Sequence, residues 1–101
     1  MSYKVVAKEG VQVMDCGEVM DIAATAELRA QLLTVLESGQ PVLLDASQLE
    51  RVDTAALQVL SAFFQDANSQ QQSAEWKDPS AALISSAELL GLSSHLKISM
   101  N

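Results

Sequence analysis

Carboxylate and hydroxyl side chains flank one polar stretch of the sequence. Asp45 ends the apolar run PVLLD, and Asp53 and Thr54 stand where a longer apolar segment begins. If the run is a strand and the segment a helix, these groups meet the unpaired amides of a helix start at one edge of the fold. Asp and Thr are also common helix caps. The pair therefore has two possible roles, which are capping a helix and forming a site for contact or modification.

Groups suited to catalysis or metal binding are few. His95 is the single histidine and Cys16 the single cysteine. Cys16 lies in an apolar strand pattern, where a free cysteine usually packs as a small core residue, so we do not assign the two as nucleophile and base. No ligand set has metal-site spacing, and the four glycines are isolated, which excludes a glycine-rich phosphate loop. We expect no enzymatic activity, no metal and no cofactor.

Composition and charge limit the kinds of partner. The 101 residues are 49% hydrophobic, which is enough for one core, so we expect a single domain over residues 1–101. The formal net charge is −7, and six basic residues are scattered among thirteen acidic ones. This balance disfavours direct binding to nucleic acid or to an anionic membrane. One cysteine, no membrane-spanning apolar run and no secretory pattern in the first ten residues lead us to expect a cytoplasmic protein.

Alternating strand and helix patterns position the candidate residues. Alternation around a Glu-Gly turn predicts a hairpin first, and apolar residues at helical spacing predict three helices. Asp21 is the expected cap of the first helix, and Asp78 followed by Pro79 is the expected start of the third. The expected elements are strands at 3–8 and 11–19, a helix at 21–38, a strand at 41–45, a loop at 46–53, a helix at 54–68, a strand at 74–77, a helix at 80–90, and a short strand or extended tail at 95–98. This order predicts an α/β sheet with parallel neighbours joined by crossovers.

The segment VLLDASQLERVDTAALQVL resembles the signature of STAS domains, the family of bacterial anti-sigma factor antagonists. That signature is an apolar strand ending in Leu-Asp, a Ser, an apolar loop residue and then Val/Ile-Asp-Ser/Thr-x-Gly-Leu opening a helix. Thr54 stands where the family usually has Ser, and Ala56 where it has Gly. The resemblance extends through GEVMDIAATAELRAQL and AELLGL. It implies a STAS-like single domain with a central mixed β-sheet of four to five strands, an N-terminal hairpin and three helices.

The same resemblance implies a regulatory function. In the family, the hydroxyl at the position of Thr54 is phosphorylated by a serine-kinase-like anti-sigma factor, and the unphosphorylated form binds that partner. A phosphate adds about −1.5 to −2 charges, so we expect it to be repelled by Asp53 and to disrupt docking. The expected partner-binding residues are Asp45, Ser47, Gln48, Arg51, Asp53, Thr54 and Gln58.

Two further settings fit the pattern. One STAS subfamily, the small subunit of a bacterial phospholipid ABC transport complex, also has Val-Asp-Thr at this place and binds the ATPase subunit without needing phosphorylation. The Glu75-Trp76 pair and the Leu90-Gly91-Leu92 stretch are similar to STAS adaptors of chemosensory or two-component pathways. Each setting implies a protein partner, without nucleic acid binding or membrane insertion.

Overall fold

The computed structural model describes residues 3–98. Its elements alternate between strands and helices along most of the chain. The strands are β1 (Val5–Lys8), β2 (Val11–Asp15), β3 (Val19–Met20), β4 (Val42–Asp45), β5 (Arg51–Val52) and β6 (Ala74–Lys77). The helices are α1 (Thr25–Ser38), α2 (Thr54–Ser69) and α3 (Ala81–Leu89), and a 3-10 turn (Ile22–Ala24) precedes α1.

Four strands form the main sheet in the order β1-β2-β4-β6. β1 and β2 are an antiparallel hairpin, whereas β2, β4 and β6 are parallel neighbours. The register aligns Asp15, Asp45 and Lys77 in one row at the carboxyl edge of the sheet. The expected α/β fold, with a mixed sheet of four to five strands, an N-terminal hairpin and three helices, is confirmed.

The core lies between this sheet and the helices. On α1 the buried apolar residues are Leu28, Leu32 and Val35, and on α2 they include Leu57, Leu60, Phe63 and Phe64, while Val59 is half-buried. The ring of Phe64 lies 5.6 Å from that of Trp76 on β6. The indole Nε1 of Trp76 donates a hydrogen bond to the carbonyl of Leu96 at 2.8 Å. Trp76 therefore packs against Phe64 and also binds the segment that ends the described chain.

A second, two-stranded sheet corrects two expectations near the candidate site. The strand expected at 11–19 is divided, because the chain leaves the main sheet after Asp15 and turns at Gly17, where φ is +71°. β3 then pairs in parallel with β5, so the loop expected at 46–53 contains a strand. Met20 and Val52 are register partners, and both are buried. This pairing fixes the chain just before α2.

The ends of the outer helices also differ from the expectations. Asp21 accepts from the amide of Ala24 and so caps the 3-10 turn, and α1 begins only at Thr25. Asp78 has φ +49°, which is incompatible with the extended backbone of an N-cap. Ser80 is the cap of α3 instead, its Oγ accepting from the amide of Leu83 at 3.1 Å.

The last described segment is neither a strand nor an extended tail. Residues 95–98 continue a series of turns, and Lys97 has φ +55°. Leu96 and Ile98 are nevertheless buried, so the segment packs on the core without pairing with the sheet. The third helix was expected at 80–90, but α3 ends at Leu89, and Leu90 follows the helix and is 45% exposed.

Candidate protein-docking site

The junction of β5 and α2 holds Asp53 and Thr54. Thr54 is the first residue of α2 and is exposed. Asp53 occupies the N-cap position, and its carbonyl accepts the first helical hydrogen bond from Leu57 at 3.1 Å. The Asp53 side chain makes no capping bond. The amides of the first turn therefore have no side-chain cap beside the Thr54 hydroxyl.

The Asp53 carboxylate is directed away from the helix that it precedes. Its Oδ2 accepts from the backbone amide of Ile22 at 3.2 Å, and its Oδ1 accepts from Nε of Arg51 at 3.3 Å. The Asp53 amide donates to the carbonyl of Met20 at 2.9 Å. Asp53 thus ties the start of α2 to the end of β3 and to the 3-10 turn, and a simple capping role for its side chain is wrong.

Asp45 and Ser47 form a separate hydrogen-bonded unit at the end of β4. Oδ1 of Asp45 accepts from the amide of Ser47 at 3.0 Å and from its hydroxyl at 2.7 Å. These two bonds, with a smaller contribution from the charge of Lys77, hold the pKa of Asp45 below its ordinary value. The two bonds from Ser47 therefore hold the Asp45 carboxylate in place and fix the start of the loop that follows β4.

The other expected docking residues lie on the surface. Ser47, Gln48 and Arg51 are exposed, while Leu49 between them is buried and fixes the loop to the core. Gln58 is exposed one turn after Thr54 on the same face of α2. The structure joins Arg51 to Asp53 and Asp45 to Ser47 as two separate units. All the expected partner-binding residues belong to β4, the following loop, β5, the N-cap of α2 or the first turns of α2.

Two surface features near the junction were not expected from the sequence. Ile22 is 69% exposed beside its bond to Asp53. The sequence contains a signal for this exposure. Ile22 stands six residues before Leu28, a spacing that places it off the helical stripe on which Leu28 is buried. A groove of about 490 Å³ also runs between α1 and α2, where Leu33 and Val59 contribute apolar walls and Gln58 is part of the lining. Exposed apolar surface therefore extends beyond the predicted polar residues.

The structure also places the groups that could have suggested catalysis. Cys16 is fully buried, and burial, with smaller contributions from Asp15 and Asp45, raises its pKa to about 12. Its thiol is thus protonated at neutral pH, whereas His95 is exposed. Across residues 3–98, no three His, Cys, Asp or Glu side chains are grouped as a metal site. Within the same range, no helix has the length and apolar character needed to cross a bilayer.

Comparisons with known proteins agree with this fold. Residues 4–98 match the family described as "Mlab, STAS domain". A Thermotoga maritima protein assigned as an anti-sigma factor antagonist is 14% identical, with a TM-score of 0.79 over 91% of this chain and 80% of that one. An anti-sigma factor antagonist from Mycobacterium paratuberculosis is 19% identical, with a TM-score of 0.76 over 92% of this chain and 80% of that one.

Phosphorylated SpoIIAA, a Bacillus cell fate determinant, has the same fold, with 14% identity and a TM-score of 0.72 over 92% of this chain and 86% of that one. A comparison with curated protein sequences found no match. At these identities the structural likeness establishes the fold, while the family match extends from β1 to the last buried residue of the described chain. The chain belongs to the STAS domain family.

Proposed function

We propose that this chain is a non-enzymatic regulatory protein that binds a protein partner through the β5–α2 junction. Phosphorylation of Thr54 switches that binding off. The docking surface consists of the exposed loop and the first turns of α2, and the partner is an anti-sigma factor of the serine-kinase-like class. The residues of this chain that form the docking surface are Asp45, Ser47, Gln48, Arg51, Asp53, Thr54 and Gln58.

The observation that carries this proposal is the position of the Thr54 hydroxyl. Thr54 is exposed at a helix start whose amides lack a side-chain cap, and Asp53 directly precedes it in the sequence. An exposed helix N-terminus attracts a phosphate by about 0.3–1 kcal/mol. The Asp53 carboxylate repels a phosphate, and charge pairs at an exposed site interact by about 0–1 kcal/mol, an effect of similar size. The two effects oppose each other, and the phosphate itself adds about −1.5 to −2 charges to this surface.

Ion pairing does little to remove this repulsion. Arg51 contacts Asp53 at 3.3 Å, but the side chains of the two residues are 67% and 28% exposed. Exposed ion pairs contribute about 0–1 kcal/mol. The ion pair therefore offsets the charge of the Asp53 carboxylate only in part. The names of the structural neighbours, which include anti-sigma factor antagonists and one phosphorylated form, support the same class of function.

A second candidate function is an accessory subunit that binds the ATPase of a phospholipid ABC transport complex. The description of the matched family, "Mlab, STAS domain", favours it. Val52, Asp53 and Thr54 also fit the Val-Asp-Thr of that subfamily. In this function Thr54 makes a contact and needs no phosphate. The same junction binds the partner in both candidates, so the difference between them lies in the partner and in the role of the hydroxyl.

Capture of partners from the native host separates these functions. Tagged wild type, Thr54→Ala, Thr54→Gln and Thr54→Glu are used as bait, and bound proteins and phosphate on Thr54 are identified by mass spectrometry. We expect an anti-sigma factor with a kinase-like domain on the wild type and its loss from Thr54→Glu only. An ABC ATPase supports the accessory function, and a chemosensory protein supports the adaptor setting. Capture by Thr54→Glu equal to that by the wild type rejects the switch.

A further inference from the structure

Asp53 connects two segments that are distant in sequence. Ile22 and Asp53 are 31 residues apart, and the Ile22 amide donates to Oδ2 of Asp53 at 3.2 Å. On the other side of Asp21, the Asp53 amide donates to the carbonyl of Met20 at 2.9 Å. One residue thus holds the chain both where β3 ends and where the 3-10 turn begins. The residue that does so directly precedes Thr54.

We propose that the Asp53 carboxylate is a positioning group that holds the Ile22–Ala24 turn against the start of α2, and that negative charge on Thr54 breaks its bond to the Ile22 amide. Ile22 is then an apolar contact for the partner that is presented only while Thr54 is uncharged. The contact to a partner depends on the proposed function. The effect of charge at residue 54 on the Ile22 amide, which we call the coupling, needs no partner and can be measured on the isolated chain.

The carboxylate is held by contacts that a neighbouring charge can displace. Its distances to the Ile22 amide and to Arg51 Nε are 3.2 and 3.3 Å, at the long end of the hydrogen-bond range. Both contacts are at the surface. An anionic group on Thr54 repels the carboxylate and is itself a competing acceptor for nearby amides. Negative charge on Thr54 can therefore displace the carboxylate from both contacts, including the bond to the Ile22 amide.

The turn itself is held by local bonds that do not involve Asp53. The Ala24 amide donates to Asp21 Oδ1 at 3.1 Å, and the Thr25 hydroxyl donates to the Ile22 carbonyl at 2.9 Å. Loss of the Asp53 side-chain contact therefore removes one link between the turn and the start of α2. These local bonds remain, as does the backbone bond from the Asp53 amide to the Met20 carbonyl. The backbone of Ile22, whose side chain is 69% exposed, is then held less firmly.

Amide hydrogen exchange of the chain without any partner tests the coupling. We expect the Ile22 amide to exchange about tenfold faster in Thr54→Glu and Asp53→Ala than in wild type, which corresponds to about 1.4 kcal/mol. Gln is nearly the same size as Glu but carries no charge, so the exchange rate of the Ile22 amide in Thr54→Gln should stay within about twofold of that in wild type. The Leu57 amide, bonded to the Asp53 carbonyl, reports that the start of α2 is intact. Wild-type exchange of Ile22 in Thr54→Glu overturns the coupling, as does equal acceleration in Thr54→Gln.

Binding of the protein captured by the wild type tests the contact at Ile22. Ile22→Thr should weaken this binding about tenfold, while Val6→Thr should change it by less than about twofold. Val6 is a suitable control because it is an apolar residue that is 57% exposed on β1, and β1 contributes no residue to the proposed docking surface. Equal effects of the two variants overturn the contact. A failed capture with accelerated exchange in Thr54→Glu rejects the proposed function and leaves the coupling intact.

Discussion

The Ser47 hydroxyl donates to Asp45 Oδ1 at 2.7 Å, and the Ser47 amide donates to the same oxygen at 3.0 Å. These bonds favour the ionised carboxylate and lower the pKa of Asp45 in the folded protein. A carboxyl group with a lowered folded-state pKa stabilises the fold at pH values above its unfolded-state pKa. This stabilisation is lost as the pH falls through the folded-state pKa.

Replacement of Asp45 should therefore reduce the acid sensitivity of the fold. We predict that Asp45→Asn lowers the free energy of unfolding by about 1 kcal/mol or less at neutral pH, because the bonds to Ser47 are exposed and Asn keeps an Oδ1 acceptor for them. Below about pH 4 the difference between wild type and variant should shrink, since wild-type Asp45 becomes protonated there. Urea unfolding at a series of pH values measures this, with Glu50→Gln as an exposed control. A difference that stays constant down to pH ~2 contradicts the assignment.

Gln72 provides a second prediction, on stability. It is 6% exposed, and its Nε2 donates to the carbonyls of Val35 at 2.9 Å and Gln40 at 2.6 Å. Gln72→Leu leaves both carbonyls without this donor and should lower the free energy of unfolding by about 2 kcal/mol. Gln65→Leu, at an exposed position on α2, should change it by less than about 0.5 kcal/mol. Urea unfolding followed by circular dichroism compares them, and equal effects would show that the Gln72 bonds contribute nothing.

Trp76 gives a third prediction, on the attachment of the C-terminal segment. Trp76→Phe keeps an aromatic ring against Phe64 but removes the Nε1 donor to the Leu96 carbonyl. The free energy of unfolding should fall by about 1 kcal/mol. Amide exchange should quicken at Ile98, whose amide donates to the carbonyl of Ser93 at 3.0 Å, and stay unchanged in β2. Unchanged exchange at Ile98 would show that the indole bond does not hold this segment.

Local patterns predicted much of the fold. The 3.6-residue periodicity identified the buried face of α2, where Leu57, Leu60 and Phe64 pack, and α2 begins at the expected Thr54. β6 has the expected bounds of residues 74–77. These elements are predictable because apolar spacing and turn residues are written in consecutive positions. The docking residues found by resemblance are surface residues or half-buried ones, and their role remains a prediction.

The features that the sequence did not reveal depend on long-range contacts. β3 and β5 are two residues each, too short for a periodic signal, and they exist because they pair with each other. Gln72 belongs to a polar stretch that is typical of a solvated loop, yet α1 and the entry to β4 supply its acceptors. The Asp53 carboxylate similarly finds the Ile22 amide only when β3 and β5 lie side by side. The roles of Asp53 and Gln72 were therefore set by hydrogen-bond partners that lie more than 30 positions away in the sequence.

The affinity of the captured partner for Thr54 variants shows whether charge at residue 54 switches binding. Isothermal titration calorimetry of the purified partner with wild type, Thr54→Gln and Thr54→Glu separates the charge at this position from its size. We predict that Thr54→Gln binds within about threefold of wild type and that Thr54→Glu binds at least about tenfold more weakly, a loss of about 1.4 kcal/mol or more. Equal affinities of Thr54→Glu and Thr54→Gln would contradict a charge switch at Thr54.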